Sequence, residues 1–115
     1  MRVMGFSVMW TKLEQPEFTT FRFPRRDRDW QIGERVQVVF RPRSKERKLL
    51  FLADILNVED RCFDPEFAPP ITEGEAIADG FWYGVLEMQE WMTKSHGKFS
   101  PSKVFHKITL RKYHG

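Results

Sequence analysis

Two arginine-rich runs carry the side chains best suited to chemistry. Arg22-Phe23-Pro24-Arg25-Arg26-Asp27-Arg28 and Arg41-Pro42-Arg43-Ser44-Lys45-Glu46-Arg47-Lys48 crowd cations onto segments interrupted by proline. A guanidinium offers paired N–H donors in one plane, the geometry that grips a phosphate or a base edge. Proline between apolar alternating segments makes both runs exposed loops or strand ends. Such loops either keep a chain soluble or converge on a polyanion, phosphate being the obvious one. Trp30, Trp82 and Tyr83 are the aromatics least tied to a periodic stripe. An exposed ring near Arg25 or Arg41 would stack on an unpaired base, worth about 1–3 kcal/mol, whereas the alternative fate of each is core packing. The candidate nucleic-acid-binding set is Arg22, Arg25, Arg26, Arg41, Arg43 and Trp30.

Other reactive side chains point nowhere in particular. Cys62 is the lone cysteine, so no internal disulfide forms, and a structural thiol is the simpler reading. His96, His106 and His114 follow no metal-ligand spacing, and Asp60, Asp64 and Glu66 read as a solvated acidic loop. No metal or cofactor is expected.

The 115 residues suit one domain with a core of its own, and 15% aromatic content argues against disorder. No apolar run is long enough to span a membrane. The start, Met1-Arg2-Val3-Met4-Gly5-Phe6, lacks the pattern of a signal peptide, so a cytoplasmic location is expected. The net charge of +3 conceals segregation along the chain. Residues 1–48 hold 12 basic and 6 acidic side chains, residues 49–90 hold 1 and 10, and residues 91–115 hold 6 and none. A two-faced surface is implied.

Periodicity supplies the elements that must position these groups. Met4, Phe6, Val8 and Trp10 alternate as one strand; Phe18–Phe23 is a second. Gly33 allows the turn before a strand over Arg35–Arg41, which pairs as a hairpin with a longer strand over Leu49–Glu59. A last strand covers Lys103–Lys112, with Val104, His106, Ile108 and Leu110 on one side. Thr72-Glu73-Gly74-Glu75 has the spacing of a capping box, with Ile71 as its staple, and starts a short helix ending near Asp79-Gly80. Val85, Met88, Trp91 and Met92 form a core-facing stripe on a second helix, which Gly97 stops. These elements make a small α+β domain, most simply a partly closed β-barrel with helices against one side.

The stretch Ile71-Thr72-Glu73-Gly74-Glu75-Ala76-Ile77-Ala78-Asp79-Gly80-Phe81, with Leu86-Glu87-Met88 and Trp91 after it, resembles the ASCH family of the PUA-like superfamily. Phe18-Thr19-Thr20-Phe21-Arg22, Gly33-Glu34-Arg35-Val36-Gln37-Val38 and Ile108-Thr109-Leu110 are similar too, so the likeness spans nearly the whole chain. The resemblance implies a PUA-like β-barrel of five to six mixed strands with two flanking helices, filling residues 1–115 as a single domain. A cleft between barrel and helices would bind RNA or modified nucleosides, and some members are enzymes. The family motif Gly-x-Lys-x-x-(Glu or Thr)-x-Arg, ended on Arg22, puts Thr20 at the Glu/Thr position. It also puts Glu17 where the family has Lys and Gln15 where it has Gly. Bacterial acetylcytidine amidohydrolases of the superfamily use the Lys and Thr with an acidic residue of the helical segment, onto which Asp79 falls. Glu17 cannot imitate an amine, and Lys12 lies five residues earlier.

The expectation is an RNA- or nucleotide-binding module with a basic cleft and Arg22 as its principal clamp. The competing roles are a salt bridge between Arg22 and a helix carboxylate such as Asp79, and for Asp79 a helix end that accepts backbone N–H bonds. The alternative is a hydrolase of modified nucleosides, or a ribonuclease, using Thr20 and Asp79. A protein-interaction module with acidic helices is a third reading.

Overall fold

The computed structural model describes residues 1–114. Its strands are β1 (Val3–Phe6), β2 (Glu17–Arg22), β3 (Arg35–Phe40), β4 (Lys48–Arg61) and β5 (Phe105–Lys112). A 3-10 turn, Thr11–Glu14, precedes β2, and helices α1 (Glu73–Asp79) and α2 (Val85–His96) lie between β4 and β5. All five strands join one sheet in the order β1-β3-β4-β5-β2, curled into a half-barrel. β1 runs parallel to β3; the other pairings are antiparallel. The α+β half-barrel with two helices is therefore as expected, and β1 and β2 are left as the two edges of its seam.

The curl has local causes. The β3–β4 hairpin slips register between Val38 and Val39, and the β4–β5 pairing slips between Ile55 and Asn57. Such irregularities increase strand twist and bend the sheet. Met4, Phe18, Val36, Ile55, Ile108 and Leu110, drawn from all five strands, meet in one buried cluster. Only the concave side of a curled sheet lets every strand reach the same point. A second cluster joins Phe21 of β2 and Phe105 of β5 to Ala76, Phe81, Met88 and Met92 of the helical segment.

The helix signals translate directly into geometry. The Glu75 N–H donates to Thr72 Oγ1 at 3.1 Å while the Thr72 N–H donates to Glu75 Oε1 at 3.0 Å. Ile71, just before the cap, packs in the same cluster as Ala76. Met88 and Met92 of the α2 stripe are buried, and Gly97 ends that helix with φ 81°.

Two strand assignments change. The alternation Met4–Trp10 is not one strand, because β1 stops at Phe6 and Val8 and Met9 are exposed. The Trp10 N–H turns back to the Val8 carbonyl, and its ring joins the helix-side cluster. On β5, Val104 lies before the strand; Ile108 and Leu110 enter the barrel core, while Phe105 enters the helix-side core. Alternation registers which residues are apolar, yet a strand buried on both faces has two apolar sides to fill. No helix among the described residues is long and apolar enough to cross a membrane.

Candidate functional site

β2 points alternate side chains to the same face, which brings Thr20 and Arg22 side by side. The Arg22 Nε donates to Thr20 Oγ1 at 3.3 Å, and its Nη2 donates to the Gly5 carbonyl of β1 at 2.8 Å. The guanidinium also lies over the Phe6 ring, 4.6 Å from its centre. Arg22 thus bridges the seam between the two edge strands and replaces the backbone pairing that a closed barrel would have there.

Asp79, the last residue of α1, faces the same place. Its Oδ1 accepts a bond of 2.6 Å from Lys12 Nζ, and both side chains are almost completely buried. Gly80 makes this approach possible: it has φ 119°, and a Cβ there would sit 2.7 Å from the Trp10 ring. Glu17, by contrast, is exposed at the start of β2, and among the described residues its one side-chain partner is Arg111, at 3.4 Å. The cation in the site is Lys12, delivered by the 3-10 turn that the extended-strand reading of Met4–Trp10 left out of account.

Burial sets the electrostatics. Loss of water pushes the Asp79 carboxyl up to about 6, although the cations of Lys12 and Arg22 pull it down. The Lys12 ammonium is pushed below its ordinary value by burial, with Asp79 opposing. Arg22 is lowered to about 10, again by burial first, with Asp79 raising it and Arg25 lowering it. His96, at the far wall, is lowered by burial and then by Arg22.

The remaining hydrogen-bonding capacity is specific. Oδ1 of Asp79 is occupied by Lys12, which leaves Oδ2 as an acceptor. The Thr20 hydroxyl accepts from Arg22 and keeps its own proton to donate, and Arg22 Nη1 is a further donor. The floor of the site therefore offers one acceptor beside two donors.

Thr20, Arg22 and Asp79 all open onto a cleft of about 720 Å³. Trp10, Phe81, Trp91 and Met88 form the wall on the helix side, and Phe6 and Phe23 that of the sheet. Arg25, Arg41 and Arg43 stand among the lining residues, on the two proline-containing loops. Arg25 is bound to Asp27 at 2.8 Å and Arg41 to Glu46 at 2.6 Å; Arg43 is exposed and makes no ion pair among the described residues. Trp30 also lines the cleft, but it is 5% exposed and packed under Arg2 and Arg25 at 4.4 and 5.0 Å. It is a support for Arg25 and not a free stacking surface.

The fold therefore gathers Thr20, Arg22, Arg25, Trp30, Arg41, Arg43 and Asp79 around one hollow, and Arg26 is not among its lining. Asp79 is neither a mere helix end nor the direct partner of Arg22; it is the partner of Lys12. Trp10, Phe81 and Trp91, grouped with ring centres 5.3–5.8 Å apart, are the site aromatics missed by a search for basic runs. Trp82 and Tyr83 lie outside it and are 82% and 88% exposed. The Cys62 thiol is buried, with the Asp64 and Ala68 carbonyls as acceptors for its single proton. No group of His, Cys, Asp and Glu suited to a metal ion occurs among the described residues. Comparison of the chain with family models, curated proteins and solved structures finds no match.

Proposed function

We propose that the protein is an RNA- or nucleotide-binding module of the ASCH, PUA-like kind, which receives one nucleotide in the cleft between half-barrel and helices. The observation that carries this reading is the coincidence of three surfaces in one hollow: an acceptor-and-donor floor, aromatic walls and an arginine-lined mouth. A volume of about 720 Å³ lies within the range of small-molecule sites, roughly 300–1,000 Å³. The base enters between Trp10, Phe23 and Trp91, where stacking is sequence-tolerant. Asp79, Thr20 and Arg22 meet its polar edge, and Arg43 with its neighbours takes phosphate.

The test is fluorescence anisotropy of a labelled short single-stranded RNA, run with the native chain and with Arg41→Glu/Arg43→Glu. Saturable binding at low salt, weakened at least roughly tenfold in the double variant, is expected. No binding at low salt, or binding indifferent to the substitutions, contradicts the reading.

A second reading is hydrolysis of an acylated nucleoside, and the placement of Lys12 favours it. The Thr20 hydroxyl and the Asp79 carboxyl, raised to about 6 and held from behind by the Lys12 ammonium, line one cleft, which places a nucleophile beside a carboxylate able to accept its proton. Thr20 Oγ1 would attack the acyl carbon as Asp79 takes its proton; the C–N bond to the base would then break with that proton passing to the leaving amine, and water would hydrolyse the acyl-threonine to the free acid. Turnover of N4-acetylcytidine that disappears in Thr20→Val and Asp79→Asn is the outcome this reading requires. Release of cleaved RNA instead would assign the same groups to a ribonuclease.

A further inference from the structure

A second hollow, of about 570 Å³, lies on the other side of the Lys12–Asp79 pair. It is bounded by the 3-10 turn, the start of β2 and the end of α1, with Trp82 at its rim. Its chemistry differs from that of the first cleft. Glu14 is exposed with no cation partner among the described residues, Glu17 reaches Arg111 only at 3.4 Å, and Lys12 is neutralised by Asp79. Ile77 and Trp82 present apolar surface, 51% and 82% exposed. Just beyond, the carboxylates of Glu87 and Glu73 accept from the backbone N–H groups of Tyr83 and Val85, which fixes two further anions at the aromatic turn.

The backbone is open there too. β2 is an edge strand, hydrogen-bonded to β5 alone. Pro16 and Lys112 form a bonded pair of that ladder, the Lys112 N–H donating to the Pro16 carbonyl at 2.9 Å. Alternation in an antiparallel ladder then turns the N–H and C=O of Glu17 and Thr19 away from β5. No loop or helix backbone group bonds to them among the described residues. A strand edge with unpaired groups is a template for another extended chain.

We infer that this second groove binds an extended, basic segment of a protein partner, laid antiparallel or parallel along the free edge of β2. The partner's backbone pairs with Glu17 and Thr19. A cationic side chain lies over the Trp82 ring and against Glu14, an arrangement that joins ion pairing to cation–π attraction. An apolar side chain at the next inward position covers Ile77. The sign of the charge separates the two hollows: phosphates are repelled by Glu14, Glu73 and Glu87 and attracted by the arginines of the first cleft.

The experiment is a titration of the full chain with a short peptide of alternating arginine and valine, followed by amide and indole NMR shifts. Shifts confined to Glu17, Thr19, Ile77 and the Trp82 indole are expected, with Glu14→Lys and Trp82→Ala each weakening affinity roughly tenfold. RNA affinity should be unchanged in both variants, since neither residue touches the arginine-lined cleft. A peptide N-methylated at alternate residues, unable to pair along an edge, should bind poorly. The inference is overturned if a glutamate–valine peptide binds equally well, if the N-methylated peptide binds undiminished, or if no peptide shifts these signals. It is also overturned if RNA shifts the same signals, or if the chain self-associates through this edge as concentration rises, which would make a second copy the occupant.

Discussion

Lys12 and Asp79 are the residues on which the site turns, and their interaction is conditional on pH. Removal of one member of a buried ion pair strands the other and typically costs 3–5 kcal/mol. Lys12→Met should therefore destabilise the protein by about that amount at pH 8, where Asp79 is ionised. At pH 5 the cost should be smaller, because a carboxyl raised to about 6 is already mostly protonated and needs no cation. Urea unfolding midpoints at the two pH values check this. The sign for Asp79 itself follows from linkage. Its folded value is above the ordinary carboxylate value of 3.8, so folding takes up a proton between the two. The stability this group contributes is complete below pH 4 and is lost as pH rises through 6, by at most about 3 kcal/mol. Asp79→Asn removes that loss, so its stability relative to the native chain should improve from pH 4 to pH 7. A variant that tracks the native chain across this range would show that Asp79 is not held in a desolvated site. This residue-scale pairing was the least legible part of the sequence, because its members are 67 positions apart. Nothing local distinguishes Lys12 from a solvated lysine; only the 3-10 turn that buries it does.

The elements divide into those fixed by local rules and those fixed by packing. The Thr72 cap, the Gly80 end of α1 and the Val85–Met92 stripe were legible because each depends on neighbours within a few residues. Thr72→Ala should cost about 1 kcal/mol of stability, measured by thermal unfolding, and leave the affinity of the folded protein for RNA unchanged. Gly80 behaves differently because it serves both the helix end and the cleft. Alanine there adds left-handed strain and drives a methyl group into the Trp10 ring. Gly80→Ala should lower both stability and RNA affinity, the latter because Trp10 is a wall of the cleft. Loss of stability with RNA affinity intact would remove Trp10 from the site. The end of β1 and the two-sided burial of β5 were not legible in the same way. Val8 and Trp10 fit the alternation as well as Met4 and Phe6 do, and only packing against α1 and α2 decides that Trp10 leaves the sheet.

At the scale of the molecule, four arginines of the basic N-terminal segment, Arg22, Arg25, Arg41 and Arg43, are brought to one cleft. The arginine loops are far apart in sequence, yet both meet beside the seam that Arg22 spans. Part of that positive charge is already answered by Asp27 and Glu46, which the charge count alone hides. With Arg25, Arg41 and Arg43 engaging about one phosphate each, log K for single-stranded RNA should fall with log salt at a slope near −2. Entry of a base into the aromatic cleft is read out by photo-crosslinking. RNA carrying 5-iodouridine, irradiated in complex with the protein and mapped by mass spectrometry, should attach to Trp10, Phe23 or Trp91. Adducts confined to the far more exposed Trp82 and Tyr83, or no adducts from a bound RNA, would mean that no base enters the cleft.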